Sequence, residues 1–186
     1  MKRMIISLGM VLVLSIPPIR HGLEESMIGQ MLIQIPLLAL AGYILGIGLR
    51  KRMSPLLSMY NQYGIPGLLL VFFANIYWLL PRSIDASLNH AIFETIKYIT
   101  VPLLIGFPLA LSWGSLHLTV KGFVWANVIT MFFVMGWFYA NSPIRLCNNY
   151  LTEQQLRLGN SFMLISVFLL ISFFCKFFFI GMKNSQ

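Results

Sequence analysis

The stretch MIGQMLIQIPLLALAGYILGIGL, Met27 to Leu49, carries no charged side chain and is followed at once by Arg50-Lys51-Arg52. In hydrocarbon every backbone N–H and C=O must be satisfied within the segment, so an uncharged run of about 20 residues reads as a membrane-crossing helix. The rest of the chain agrees. Of 186 residues, 58% are hydrophobic and only 10% are charged, and mean hydropathy is +0.81. A soluble domain carries about 25% charged residues, so this chain has too few to cover a globule.

Working outward, five further apolar runs complete six predicted spans: Met4 to Pro17, Tyr63 to Leu80, Ala91 to Trp113, Gly122 to Tyr139 and Phe162 to Met182. The expected fold is all-α, a polytopic bundle of about six transmembrane helices forming one domain over residues 1–186. The first run is short and follows Lys2-Arg3, which also describes a signal peptide. If it were cleaved, five helices would remain, although its exit, SIPPIRHG, lacks an A-x-A-like site. Thr152 and Gln155 have capping-box spacing in LTEQQLRLG, which reads as an interfacial helix before the last span.

Six spans place Lys2, Arg3, Arg50, Lys51, Arg52, Lys121 and Lys183 on one side, and Arg20, Arg82, Arg145 and Arg157 on the other. Positive residues favour the cytoplasm, so both termini are expected inside. The net charge of +8 is then mainly a topology signal and gives no ground for nucleic-acid binding. All five acids, Glu24, Glu25, Asp85, Glu94 and Glu153, fall on or near the outer side with His21 and His90. Trp78 and Trp137 fall at outer helix ends, where interfacial anchors belong.

Glu94 and Lys97 lie inside an apolar run, where ionisable groups are costly and usually functional. Helical spacing puts Glu24, Met27 and Met31 on one face, Met27, Gln30 and Gln34 on a neighbouring stripe, and His90, Glu94 and Lys97 on another. Imidazole and carboxylate suit divalent copper or zinc, and thioether sulfur favours cuprous copper. His21, Glu24, Met27, His90 and Glu94 are therefore the candidate metal ligands, clustered at the outer face, with copper as the metal. Each also has a plainer reading. Methionines fill gaps between helices, Gln30 and Gln34 suit interhelical hydrogen bonds, and Glu94 can neutralise Lys97 at i, i+3.

Gly42 and Gly46 form a G-x-x-x-G pair that suits close helix packing. Pro36, Pro66, Pro102 and Pro108 are expected to kink their helices. Asp85 is placed to cap the helix that follows it. Cys147 and Cys175 fall in a loop and a helix and suggest no disulfide. No P-loop, nucleophile elbow or haem-attachment motif is present, no paired inverted halves suggest a transporter, and no catalytic residue is assigned.

The segment WLLPRSIDASLNHAIFETIKYITVPLLIGFPLALSW, Trp78 to Trp113, resembles the CtaG family of bacterial cytochrome oxidase assembly membrane proteins. The shared elements are Leu80-Pro81, Asp85-Ala86-Ser87-Leu88, Glu94 and Trp113. SMIGQMLIQIPLLALAG, from Ser26, is similar to the family's histidine-rich segment running into an apolar, proline-containing stretch. Two histidines of the family pattern are replaced, by Gln30 before Met31 and by Leu79 before Leu80-Pro81. The resemblance implies a multi-pass protein of the bacterial inner membrane. It would be an accessory or assembly factor for a copper-containing membrane enzyme such as a terminal oxidase, handling copper at its outer face. Its partners would be the lipid bilayer and that membrane complex. The alternative is a non-catalytic structural subunit of a larger membrane complex, without metal.

Overall fold

The computed structural model describes residues 2–53, 55 and 59–183, with side chains to residue 176. Its regular elements are all helical: α1 (Lys2–Ser15), α2 (Pro17–Glu24), α3 (Gly29–Leu49), α4 (Ile65–Leu79), α5 (Pro81–Asn89), α6 (Ala91–Ser112), α7 (Leu118–Asn141) and α8 (Thr152–Lys183). Four of these, α3, α6, α7 and α8, are each long and apolar enough to cross a membrane. Counting α1–α2 and α4–α5 as one bent span apiece raises the number to six. The protein is a helical membrane protein with four to six apolar spans.

The chain divides into two compact units, Met1–His117 with Cys147–Tyr150, and Leu118–Leu146 with Leu151–Gln186. In the first, α1 and α6 pack against α3, and α4 packs against α6. Both bent pairs turn by 69°, and both bends have one cause. Ile16 and Leu80 each precede a proline and are extended, with ψ of 126° and 133°, because proline clashes with an α-helical predecessor. Pro17 and Pro81 then open the next helix, where the missing N–H is not needed.

Pro36 and Pro108 do something different from a simple kink, and Pro102 sits in the first turn of a π-helical segment. A proline inside a helix collides with the carbonyl four residues earlier. Leu32, four before Pro36, and Leu104, four before Pro108, both lie in π-helical turns, Gly29–Gln34 and Val101–Gly106. The wider turn moves the offending carbonyl aside, so α3 and α6 stay continuous. Pro66 sits in the first turn of α4 and bends nothing.

The two widened helices cross at glycines. Gly42 lies against the Pro102 backbone, Gly106 against the carbonyl of Ala39, and a methyl group on Gly46 would come within 2.8 Å of the Phe107 carbonyl oxygen. Absent side chains let the helices approach closely, as in small-residue membrane interfaces. This crossing fixes the depth of α3 relative to α6 and so sets Gln34 beside Lys97 and Tyr98 of α6.

The second unit is the antiparallel pair α7 and α8. A methyl group on Gly136 would meet the Gly159 carbonyl oxygen at 2.9 Å, and Phe162 stacks edge-on against Phe132 at 5.2 Å. LTEQQLRLG is the start of α8 itself, not a separate interfacial helix. Gln155 does not close a capping box. Its amide is buried, accepting from the Leu146 N–H at 2.9 Å and donating to the Tyr139 carbonyl at 3.1 Å, which ties down the loop before α8.

Candidate functional site

The polar side chains of α2, α3 and α6 meet in one cluster. The bend after Ser15 swings α2 across, so that Arg20 and Glu24, one turn apart, face α6. The Lys97 ammonium is fully buried and donates to Glu24 Oε1 at 2.8 Å and to Gln34 Oε1 at 2.9 Å. The amide nitrogen of Gln34 donates to Glu24 Oε1 at 3.1 Å and to the Tyr98 hydroxyl at 2.9 Å. Tyr98 in turn donates to the Leu14 carbonyl at 2.8 Å, and its ring lies 5.4 Å from the ammonium. At the rim Arg20 pairs with Glu94 at 2.6 Å and lies 3.8 Å from the second oxygen of Glu24.

These contacts use nearly all the hydrogen-bonding capacity of the inner residues. Gln34 spends its oxygen and both amide hydrogens, and Glu24 Oε1 accepts twice. Two cations and two carboxylates make the cluster formally neutral. A buried ion pair survives only with good geometry and satisfied remaining groups, because both charges have lost water. Arg20 Nε is the one buried side-chain nitrogen or oxygen among the described residues that lacks a hydrogen bond.

A second polar layer adjoins the first. The Gln30 amide donates to Ser87 at 3.2 Å, and Ser87 donates to the Ile84 carbonyl at 2.8 Å. The Tyr150 hydroxyl lies 2.6 Å from Gln30 Oε1 and 2.7 Å from the Glu24 carbonyl oxygen, sharing one proton between them. Burial foremost, then the negative charge of Glu24, pushes its phenol above the usual range. Tyr150 is held by its own segment. The Asp85 carboxylate accepts from the Asn148 and Asn149 N–H groups at 2.7 and 3.4 Å, and the buried Cys147 thiol lies 3.8 Å from the Pro81 carbonyl. Burial, with Asp85 nearby, pushes that thiol up to about 12.

The sequence-derived ligands are distributed unevenly. Glu24 and Glu94 come together, bridged by Arg20. Met27 is wholly buried among the helices. His21 is exposed and lies 3.4 Å from its neighbour Arg20. His90 is exposed, precedes the first turn of α6, and rests near the Phe93 ring. Among the described residues no three His, Cys, Asp or Glu side chains gather around one point. The residues present do not fit a copper ion. Both carboxylates are already held by cations at 2.6–2.8 Å, and an added metal would bring excess positive charge into a neutral cluster.

Three details differ from the sequence reading. Lys97 pairs with Glu24 and not with its helix neighbour Glu94, because it points inward at full burial while Glu94 stays at the rim. Asp85 caps the 148–149 backbone instead of α6, since it lies within α5 and faces that segment. Trp78 is a buried core residue whose indole donates to Thr100 at 3.1 Å, so it is no interfacial anchor. Tyr98 and Tyr150 were not singled out by the sequence, and Ser87 entered only as a member of the Asp85–Leu88 element, with no role of its own. Their roles depend on tertiary contacts, up to 126 residues apart, that no local pattern announces. No family model, curated protein or solved structure matches the chain.

Proposed function

We propose that this chain is a non-catalytic accessory or assembly protein of a membrane-embedded enzyme complex, working through protein contacts without a resident metal. The observation that carries this reading is the Lys97 ammonium bound between Glu24 and Gln34. A fixed internal cation takes up the carboxylate that a metal site would need. The replacement of two family-pattern histidines by Gln30 and Leu79 points the same way, and Gln30 is committed to Ser87 and Tyr150. The resemblance to oxidase assembly proteins supplies the class of client, a terminal oxidase or another copper-containing membrane enzyme. The asymmetry of Lys and Arg supports an orientation with both termini in the cytoplasm, and the same resemblance supplies the bacterial inner membrane as the location.

Affinity purification of the full chain from its native membranes, in mild detergent, tests this directly. The expected result is stoichiometric recovery of a multi-subunit membrane enzyme, with substoichiometric copper attributable to the chain itself. One copper per purified chain, lost on substitution of His21 or His90, would overturn the metal-free reading in favour of copper handling. Recovery of the chain alone, with no partner under conditions that keep other complexes intact, would overturn the accessory role.

A further inference from the structure

We propose that the groove between α1, α3 and α6 seats an anionic phospholipid. The groove has a volume of about 390 Å³ and is lined by Met4, Ile5, Leu8 and Val11 of α1, Leu45 of α3, and Pro102 and its neighbours on α6. Its two polar side chains are already satisfied: Ser7 donates to the Ala41 carbonyl at 2.7 Å and Tyr98 to that of Leu14. The wall therefore offers hydrocarbon and no unmet hydrogen bond. An acyl chain fits that surface, whereas a water-soluble anion has nothing to bind along it.

The second observation concerns charge at one end of the same groove. Lys2 and Arg3 immediately precede the first lining residues, Met4 and Ile5. A methyl group on Gly48 would lie 3.4 Å from Arg3 Cβ, which brings Arg3 beside the end of α3, where Arg50, Lys51 and Arg52 follow. The Arg50 guanidinium rests on Gly114, just beyond α6. Five exposed basic residues thus gather around the ends of the helices that form the groove. Within this unit the acids Glu24, Glu25, Asp85 and Glu94 belong to the opposite helix ends, so among the described residues these cations are paired with no carboxylate. Clustered Lys and Arg beside a membrane helix attract anionic headgroups. The groove adds what a general basic patch lacks, a place for the lipid's tail.

The test uses the full chain in mild detergent and native mass spectrometry with phosphatidylglycerol or phosphatidylcholine of identical acyl chains. Phosphatidylglycerol is expected to be retained roughly tenfold better, and R3Q/R50Q/K51Q to erase that preference. Leu8→Trp, which fills the groove, is expected to reduce retention of both lipids. Wild-type protein is also photo-crosslinked with phosphatidylglycerol carrying a diazirine in its tail, which does not depend on any variant folding. Adducts on Met4–Val11 or Ile99–Leu103 support the site. Equal retention of the two lipids, a preference that survives the charge substitutions, or adducts scattered over other lipid-facing helices would overturn it.

Discussion

Replacing Lys97 by methionine keeps the aliphatic stem and removes the ammonium, leaving Glu24 buried with Gln34 as its remaining close donor and Gln34 Oε1 with none. Unit charges at 2.8 Å attract by about 6 kcal/mol at an effective dielectric constant of 20, before desolvation is subtracted. The Lys97 side chain is 0% exposed and that of Glu24 10%, so water cannot easily replace the lost partner. Removing one member of such a pair typically costs about 3–5 kcal/mol. K97M is therefore expected to lose about that much, and E24Q a similar amount by stranding the ammonium. The double variant K97M/E24Q, with both charges gone, is expected within about 2 kcal/mol of wild type, because neutral groups of similar shape need no counter-ion. Reversible unfolding in mixed micelles, followed by tryptophan fluorescence, measures all four corners of the cycle. Trp78 is a suitable reporter, since its indole is anchored to Thr100, one turn beyond Lys97. Strictly additive single effects, or a K97M variant as stable as wild type, would refute the pairing argument.

Gly106→Ala should destabilise by about 1–3 kcal/mol by pushing α6 off the Ala39 carbonyl, while Gly122→Ala, with open space around it, should change thermal stability little. Asp85→Ala removes the acceptor for Asn148 and Asn149 and is expected to cost about 1 kcal/mol, seen as faster hydrogen exchange confined to residues 147–150. Cys147 should resist maleimide at neutral pH in the folded protein and react on unfolding. Its folded thiol titrates at about 12 against an ordinary value of 9.0, so its contribution to stability is complete below pH 9 and lost as pH rises toward 12. Replacing both Pro17 and Pro18 by Ala should relax the extended backbone at Ile16 and straighten α1 into α2, weakening the Arg20–Glu94 pair, with loss of the Arg20–Glu94 coupling in a double-mutant cycle as the readout.

The all-helical character and the apolar runs were legible because hydrocarbon leaves so few solutions for a charge-poor chain. The stretch from Met27 to Leu49 predicts its helix to the residue, Met27 and Ile28 being helical ahead of the first π turn. Gly42 and Gly46 likewise lie where a small-residue pair belongs, at the crossing with α6. The identity of the ion-pair partners was not legible. Spacing along α6 makes Glu94 the natural neighbour for Lys97, and only the 69° swing of α2 brings in Glu24 and Arg20. Nor does periodicity reveal a π turn, since it assumes one fixed rotation per residue. Tyr150 reaches Gln30 from a loop whose path is set by Asp85, a contact with no signature in either segment.

The neutrality of the buried cluster has an electrical consequence. A lone elementary charge carried across an energised membrane changes energy by about 2.3 kcal/mol per 100 mV. Lys97 and Glu24 carry opposite charges separated by only 2.8 Å, against a hydrocarbon thickness of about 30 Å, so the voltage can act on their separation but not on a net charge. That leaves at most about 0.2 kcal/mol per 100 mV for the pair, with Arg20 and Glu94 likewise opposed at 2.6 Å. Energising or collapsing the membrane potential therefore leaves the cluster where it is. Its scaffold is indifferent to whether the membrane that holds it is energised.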